Sequence, residues 1–294
     1  MSSSKTLIIF VALFMLVALP ACQSTVESTA SFVDDYLHVR ASWSPDGKTI
    51  AFTSYVTNAT GIYLMDSSGA NIRQIYSGDG VGVSWSPDGK WIAFSRTGTL
   101  CKIKPTGDSL TVLTDVAGAI RPAWSPNGVK IAFVQQSPGN GVWIYDFNKS
   151  AATQLITYGD FPSWNPQTGE LVVLNAQFSQ TTGYVYYTYT AIDSASVTAR
   201  TLGSFASASD CGFSPISPKG NAMVLGVKGP DDYAEVWVYD LILQTITQLT
   251  FDGGDYPSWS PDGTKITYTR TQPGDGGLWV MNADGTGKRR LTKP

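Results

Sequence analysis

Six times along the chain a tryptophan or its stand-in is followed by Ser-Pro-Asp-Gly or a worn version of it. The copies begin at Trp43, Trp85, Trp124, Trp164, Phe213 and Trp259, at intervals of 42, 39, 40, 49 and 46 residues. Self-similarity at this period constrains the fold before any single residue is considered. A unit of this length cannot bury both of its faces alone, so copies must stack on one another.

The third copy shows what one unit is. Arg121-Pro-Ala-Trp-Ser125 reads as a short strand, and Pro126-Asn-Gly128 turns the chain. Val129–Val134, Val142–Asp146 and Thr153–Thr157 read as three more strands, β-branched or aromatic and bounded by turn formers. Proline presets φ at the first central turn position, and glycine supplies the positive φ that leads into the next strand. Four antiparallel strands per repeat make a propeller blade. The fold class expected is therefore all-β, a six-bladed β-propeller of four-stranded antiparallel blades over 38–294. Blade limits fall near 38–79, 80–118, 119–158, 159–207, 208–252 and 253–294. Ile50-Ala-Phe52, Ile92-Ala-Phe94, Ile131-Ala-Phe133, Leu171-Val-Val173, Met223-Val-Leu225 and Ile266-Thr-Tyr268 align as the second-strand column. A third-strand column runs through Ile62, Leu100, Val142, Val185, Val236 and Leu278. Eight of the nine tryptophans fall in the turn or third-strand columns, which assigns them to packing between blades.

Trp-Ser-Pro-Asp-Gly-x-x-Ile-Ala-Phe, an apolar-aromatic strand, Asp/Asn-x-x-Gly and a closing Leu-Thr together resemble the repeat of TolB-type β-propellers. The sixth copy carries the pattern most fully, from Trp259 through Leu278–Asn282, Asp284-Gly285 and Leu291-Thr292. TolB itself carries a mixed α/β domain ahead of its propeller, and the residues before the first repeat are expected to be too few for one. The repeat also resembles the propellers that gate prolyl-oligopeptidase-like and tricorn-like proteases. Every repeat holds its own four strands, so the ring is expected to close without strand exchange, although Val26–Val33 could add to an edge.

Residues 1–21 read as a signal peptide, with Lys5 ahead of the uncharged run Leu7–Leu19. That run is shorter than the roughly 20 residues of a span. Leu19-Pro20-Ala21-Cys22 resembles the bacterial lipobox, which implies a diacylated Cys22 as the mature N-terminus; Pro20 departs from the pattern, and cleavage after Ala21 is the alternative. Residues 22–37 would then form a lipidated flexible tether. The expected location is the bacterial cell envelope, extracytoplasmic and membrane-anchored. Cys101 and Cys211 fall in blades 2 and 5, too far apart for the ~4.4–6.8 Å Cα spacing of a disulfide, and read as buried thiols. With a formal charge of −3 and no basic stripe, nucleic acid is not an expected partner.

Catalytic motifs are thin. Gly107-Asp-Ser-Leu110 spells the block of a serine esterase family but falls on a turn, and His38 is the only histidine. Gly78–Gly82 is glycine-rich yet precedes a strand, whereas a dinucleotide loop opens a helix. Zinc spacings are missing, and no metal or other cofactor is expected. Calcium, if held at all, would fall on Asp231, Asp232 or Asp275. Asn58-Ala-Thr60 is a sequon that a bacterial leader makes irrelevant.

Binding is expected on the rim opposite the Ser-Pro-Asp-Gly turns, whose loops differ from blade to blade. These loops include 55–60, 135–140, 177–182, 229–233 and 271–276. The channel mouth is expected three residues before each turn tryptophan, at Arg40, Gly82, Arg121, Phe161, Asp210 and Tyr256, with Asp160, Asp255 and His38 beside it. Guanidinium groups on blades 1 and 3 would face carboxylates and aromatics on blades 4 to 6, which suits a peptide of mixed charge. The expected function is a monomeric, non-enzymatic scaffold for a protein or peptide partner. The resemblance implies a peptidoglycan-associated lipoprotein as that partner. A cell-wall glycan is the alternative ligand. A lyase or glycosidase would need carboxylates set about 5 to 9.5 Å apart, and similar propeller lyases use metal-binding histidines.

Overall fold

A computed structural model of the chain describes residues 38–294 except 57, 137–140, 208–210, 213–214, 229–232, 271, 273 and 293–294. Six four-stranded antiparallel sheets, each made of consecutive strands, form six propeller blades. Blade 1 holds β1 (His38–Trp43), β2 (Thr49–Ser54), β3 (Gly61–Asp66) and β4 (Arg73–Ser77). In blade 2 are β5 (Gly80–Trp85), β6 (Ile92–Arg96), β7 (Thr99–Ile103) and β8 (Thr111–Val112). Next come β9 (Ala119–Trp124), β10 (Lys130–Gln135), β11 (Gly141–Asp146) and β12 (Ala151–Ile156). The fourth blade is longer: β13 (Asp160–Trp164), β14 (Leu171–Phe178), β15 (Val185–Ile192) and β16 (Ala199–Ser207). Blade 5 comprises β17 (Cys211–Gly212), β18 (Ala222–Lys228), β19 (Ala234–Asp240) and β20 (Thr245–Gln248). The last has β21 (Asp255–Trp259), β22 (Lys265–Arg270), β23 (Gly277–Asn282) and β24 (Arg289–Arg290).

The apolar interior is divided among the seams between blades. Phe94, Ile92 and Cys101 pack with Ile62 and Leu64 between blades 1 and 2, and Phe133 and Ile131 with Leu100 between blades 2 and 3. Phe52, Phe94 and Phe133, the second-strand column, have no exposed surface. Each buried ring of this kind is worth roughly 1.5–3 kcal/mol. The turn tryptophans cross the seams as well. Trp85 Nε1 donates to the Ser42 carbonyl at 3.1 Å and Trp164 Nε1 to the Ala123 carbonyl at 2.9 Å.

Ring closure needs no exchanged strand, because blades 1 and 6 each contain their own four. Their seam is held by Ala41, Ile50, Phe52, Met65, Leu278, Val280 and Leu291. Trp43 Nε1 donates to Thr267 Oγ1 at 3.2 Å, and Arg289 donates to the Ser67 and Ser68 carbonyls.

The repeated turn is a small hydrogen-bonded knot. Ser44 Oγ donates to Asp46 Oδ1 at 2.7 Å and accepts the Thr49 N–H, while Asp46 Oδ1 accepts the Lys48 N–H. Ser86–Asp88, Ser125–Asn127 and Ser260–Asp262 repeat the first of these bonds. The serine hydroxyl first, then a backbone N–H, holds Asp46, Asp88 and Asp262 below the usual carboxylate range. Groups with a depressed folded pKa favour the folded state above about pH 4, and that contribution is lost as pH falls through the depressed values. An Asp46→Asn, Asp88→Asn, Asp262→Asn variant copies the third turn, where Asn127 keeps the acceptor. It is expected to lose less thermal stability than the parent between about pH 5 and pH 3. Equal losses would show that these carboxylates carry none of the acid sensitivity.

Most strands lie within two residues of the sequence expectation, with Gln135 ending β10 rather than opening a loop, and the largest departure is in blade 4. Residues 177–182 were expected as a loop, but β14 runs through Phe178 and pairs with β15 up to Phe178–Val185. The third-strand column therefore passes in blade 4 through Tyr189 and not through Val185 as expected, since Thr190 faces Val173 as Trp143 faces Phe133 and Tyr189 faces Leu174 as Val142 faces Val134. The extra length of the fourth interval is a longer hairpin.

Candidate functional site

The column three residues before each turn tryptophan has an unusual backbone. Arg40, Gly82, Arg121, Phe161 and Tyr256 have φ of 56, 69, 53, 48 and 48°. At each of these positions the innermost strand slips register against its neighbour, a β-bulge repeated in the five described copies. A bulge re-aims a side chain that simple alternation would point elsewhere. Only glycine adopts this conformation freely, so the four other residues are held there against roughly 1–3 kcal/mol each. Arg40, Gly82, Arg121 and Phe161 line a cavity of about 490 Å³ that reaches Pro87, Pro126 and Pro166 of the uniform turns. This cavity is the central channel.

Opposite charges meet at its mouth. Arg121 Nη1 lies 2.6 Å from both Asp160 carboxylate oxygens, and its guanidinium sits 4.1 Å from the centre of the Phe161 ring. Asp160 Oδ1 also accepts the Phe161 N–H at 2.7 Å. Burial pulls the Arg121 guanidinium below its ordinary pKa, and Asp160 pulls the other way. Across the channel Arg40 lies 5.1 Å from the centre of the Tyr256 ring. The sign-split mouth is thus partly self-neutralised between blades 3 and 4.

Asp255 faces a different neighbour. Its carboxylate accepts the Tyr256 N–H at 2.7 Å and packs so closely on Gly226 that a Cβ there would collide with it. Burial raises its carboxyl pKa, against that N–H and the charges of Arg40 and Lys228. On the first variable loop, partial desolvation raises the pKa of the Tyr55 phenol, and the charge of Arg40 acts against that rise. Asp210, Cys22, Asp231 and Asp232 lie outside the described residues, as does the side chain of His38.

A second cavity, of about 740 Å³, opens on the variable rim between blades 3 and 4. Gln135, Gln136, Tyr158, Asn175 and Tyr187 line it, and it shares Asp160 and Phe161 with the channel mouth region. Sequence reasoning missed this groove; the long fourth interval was its only trace. Between blades 5 and 6, Arg270 is 8% exposed, pairs with Asp252 at 3.2 Å and Asp275 at 2.7 Å, and lies over Trp279. Asp275, the acid considered for calcium, is therefore engaged by a guanidinium. Among the described residues no group of three His, Cys, Asp or Glu side chains is placed to share an ion. Ser109 sits in the β7–β8 turn and donates to Asp108 at 2.6 Å. Cys101 is buried and free, and burial raises its thiol pKa.

Residues 34–168 match the TolB beta propeller domain family. The fold is similar to that of a protein described as TolB from Agrobacterium tumefaciens, with a TM-score of 0.62 and 15% identity over 75% of this chain and 84% of that one. Oligogalacturonate lyase from Vibrio parahaemolyticus has a TM-score of 0.58 and 10% identity, over 84% of this chain and 90% of that one. The propeller of the trilobed protease from Pyrococcus furiosus, which has an open velcro topology, gives 0.57 and 14%, over 88% and 86%. At these identities the likeness is one of fold.

Proposed function

We propose that the protein is a non-catalytic binding scaffold of the bacterial cell envelope, tethered through a lipidated Cys22. It captures a protein or peptide partner at the variable rim and channel mouth. The observation that carries this reading is the left-handed column: Arg40, Arg121, Phe161 and Tyr256 are kept in a costly backbone conformation, the first three line the channel, and Tyr256 lies against Arg40. Strained residues cluster at ligand clamps, where the surrounding structure over-determines them. Arginine and tyrosine are also the residue types that most often dominate binding energy at interfaces. The family match over blades 1 to 3 favours a partner of the TolB kind, a peptidoglycan-associated lipoprotein, bound through Arg40, Arg121, Asp160, Phe161, Asp210, Asp255 and Tyr256.

Photo-crosslinking residues placed at Tyr55, Gln136 or Tyr158 on the variable rim should trap the partner in intact cells. The same residue at Pro87, Asn127 or Asp262 on the uniform rim should not. Crosslinks confined to the uniform rim would overturn the assignment.

A further inference from the structure

Among the described residues, the longer hairpin of blade 4 has part of a sheet edge with no strand paired to it beside the groove. In the other blades the second strand pairs with the first to within one residue of its end, as in Ser54–His38, Arg96–Gly80 and Gln135–Ala119. In blade 4 the last such pair is Leu174–Asp160, and β14 continues for four residues, Asn175 to Phe178. That is about 13 Å of strand.

The phase of the ladder shows which groups are left over. Ser179 N donates to the Tyr184 carbonyl, so that pair is a hydrogen-bonded one. Bonded and non-bonded pairs alternate along an antiparallel ladder. Gln177 and Asn175 therefore bond to β15, whereas Ala176 and Phe178 direct their N–H and C=O to the opposite, inner edge. At the other end, Asn165 N donates to the Glu170 carbonyl, which gives the same phase across β13. Among the described residues no backbone group bonds to this inner edge, and Ala176, Gln177 and Phe178 are exposed.

Open edges are usually defended by lysine, proline, a bulge or a covering loop. Asn175-Ala-Gln-Phe178 carries no charge and no proline, and neither does Val185-Tyr-Tyr187 across from it. The groove lies beside this edge, and Asp160, the one charged residue among the described residues that line it, is bonded to Arg121.

We infer that the inner edge of β14 at Ala176 and Phe178 captures an extended, uncharged peptide segment of the partner by adding it as a strand to blade 4. Main-chain hydrogen bonds would supply attachment, and alternate side chains would enter the groove to supply selectivity. This rests on the partner-binding reading above and specifies how the partner is held.

The test uses a random-peptide display library panned on the full chain, followed by hydrogen exchange with the enriched peptide. Uncharged, β-prone peptides should be enriched, and binding should slow exchange of the Ala176 and Phe178 amides. Ala176→Pro removes one outward N–H without touching the β14–β15 bonds, and should weaken binding about tenfold. Methylating alternate peptide nitrogens should weaken it with a period of two on the wild-type protein, which serves if the proline variant folds poorly. Peptide binding with no protection at Ala176 and Phe178, and full affinity in Ala176→Pro, would overturn strand addition and leave partner binding standing. Failure to enrich any peptide, together with no crosslinks from the variable rim, would remove both.

Discussion

Replacing Gly141 with alanine is expected to destabilise the fold by about 3 kcal/mol or more, and to lower the melting midpoint by roughly 10 °C. Gly141 opens β11 at φ 145°, a region that only glycine occupies freely. A Cβ there would collide with the Ile156 carbonyl and stand 3.0 Å from the Thr157 Cα, so β11 and β12 would have to separate. Gly61 and Gly277 hold the same place in blades 1 and 6, at φ 156° and 132°, and would collide with the Tyr76 carbonyl and Thr292 Oγ1. Gly169 is the control. It has φ 73° and nothing within 4 Å of a Cβ, so Gly169→Ala should cost only about 1–2 kcal/mol. Thermal unfolding of both variants checks this. Equal losses would mean that the close approach of β12 does not set the requirement at Gly141.

Much of the architecture is legible in the sequence because each device is repeated. The Trp-Ser-Pro-Asp-Gly turns place the first two strands of each blade, and the Ile-Ala-Phe column identifies the residues that fill the seams. Blade 4 departs because Gln177-Phe-Ser-Gln-Thr-Thr182 has the composition of a loop, while its first two residues continue a strand. Nothing in those side chains distinguishes the two readings; the ladder to β15 decides.

The mouth column was readable as a spacing, three residues before each tryptophan. Its left-handed backbone was not, because arginine, phenylalanine and tyrosine have no preference for positive φ. Gly82 is the one member whose identity hints at it. The Arg121–Asp160 bond was not legible either, since the two lie on neighbouring blades and the Asp255 carboxylate, in the same sequence position, packs instead on Gly226. The groove has no sequence signature because short stretches of two neighbouring blades, each ordinary by itself, build it between them.

The second large effect expected is a loss of partner affinity when the mouth is stripped. A combined Arg40→Ala, Arg121→Ala, Tyr256→Ala variant removes two guanidinium groups and one ring from the opening, and frees Asp160 from its partner. Arginine and tyrosine at the centre of an interface often contribute 2 kcal/mol or more each, so a loss of about a hundredfold or greater is expected. Glycine at the same three positions relieves the left-handed backbone, so the glycine version should be more stable than the alanine version and equally deficient in binding. That pairing separates a lost contact from a damaged fold. The decisive measurement is the equilibrium affinity of the purified protein and both variants for the partner trapped from the variable rim. The account predicts at least about a hundredfold weakening in both variants with the fold retained. Undiminished affinity in both would contradict it.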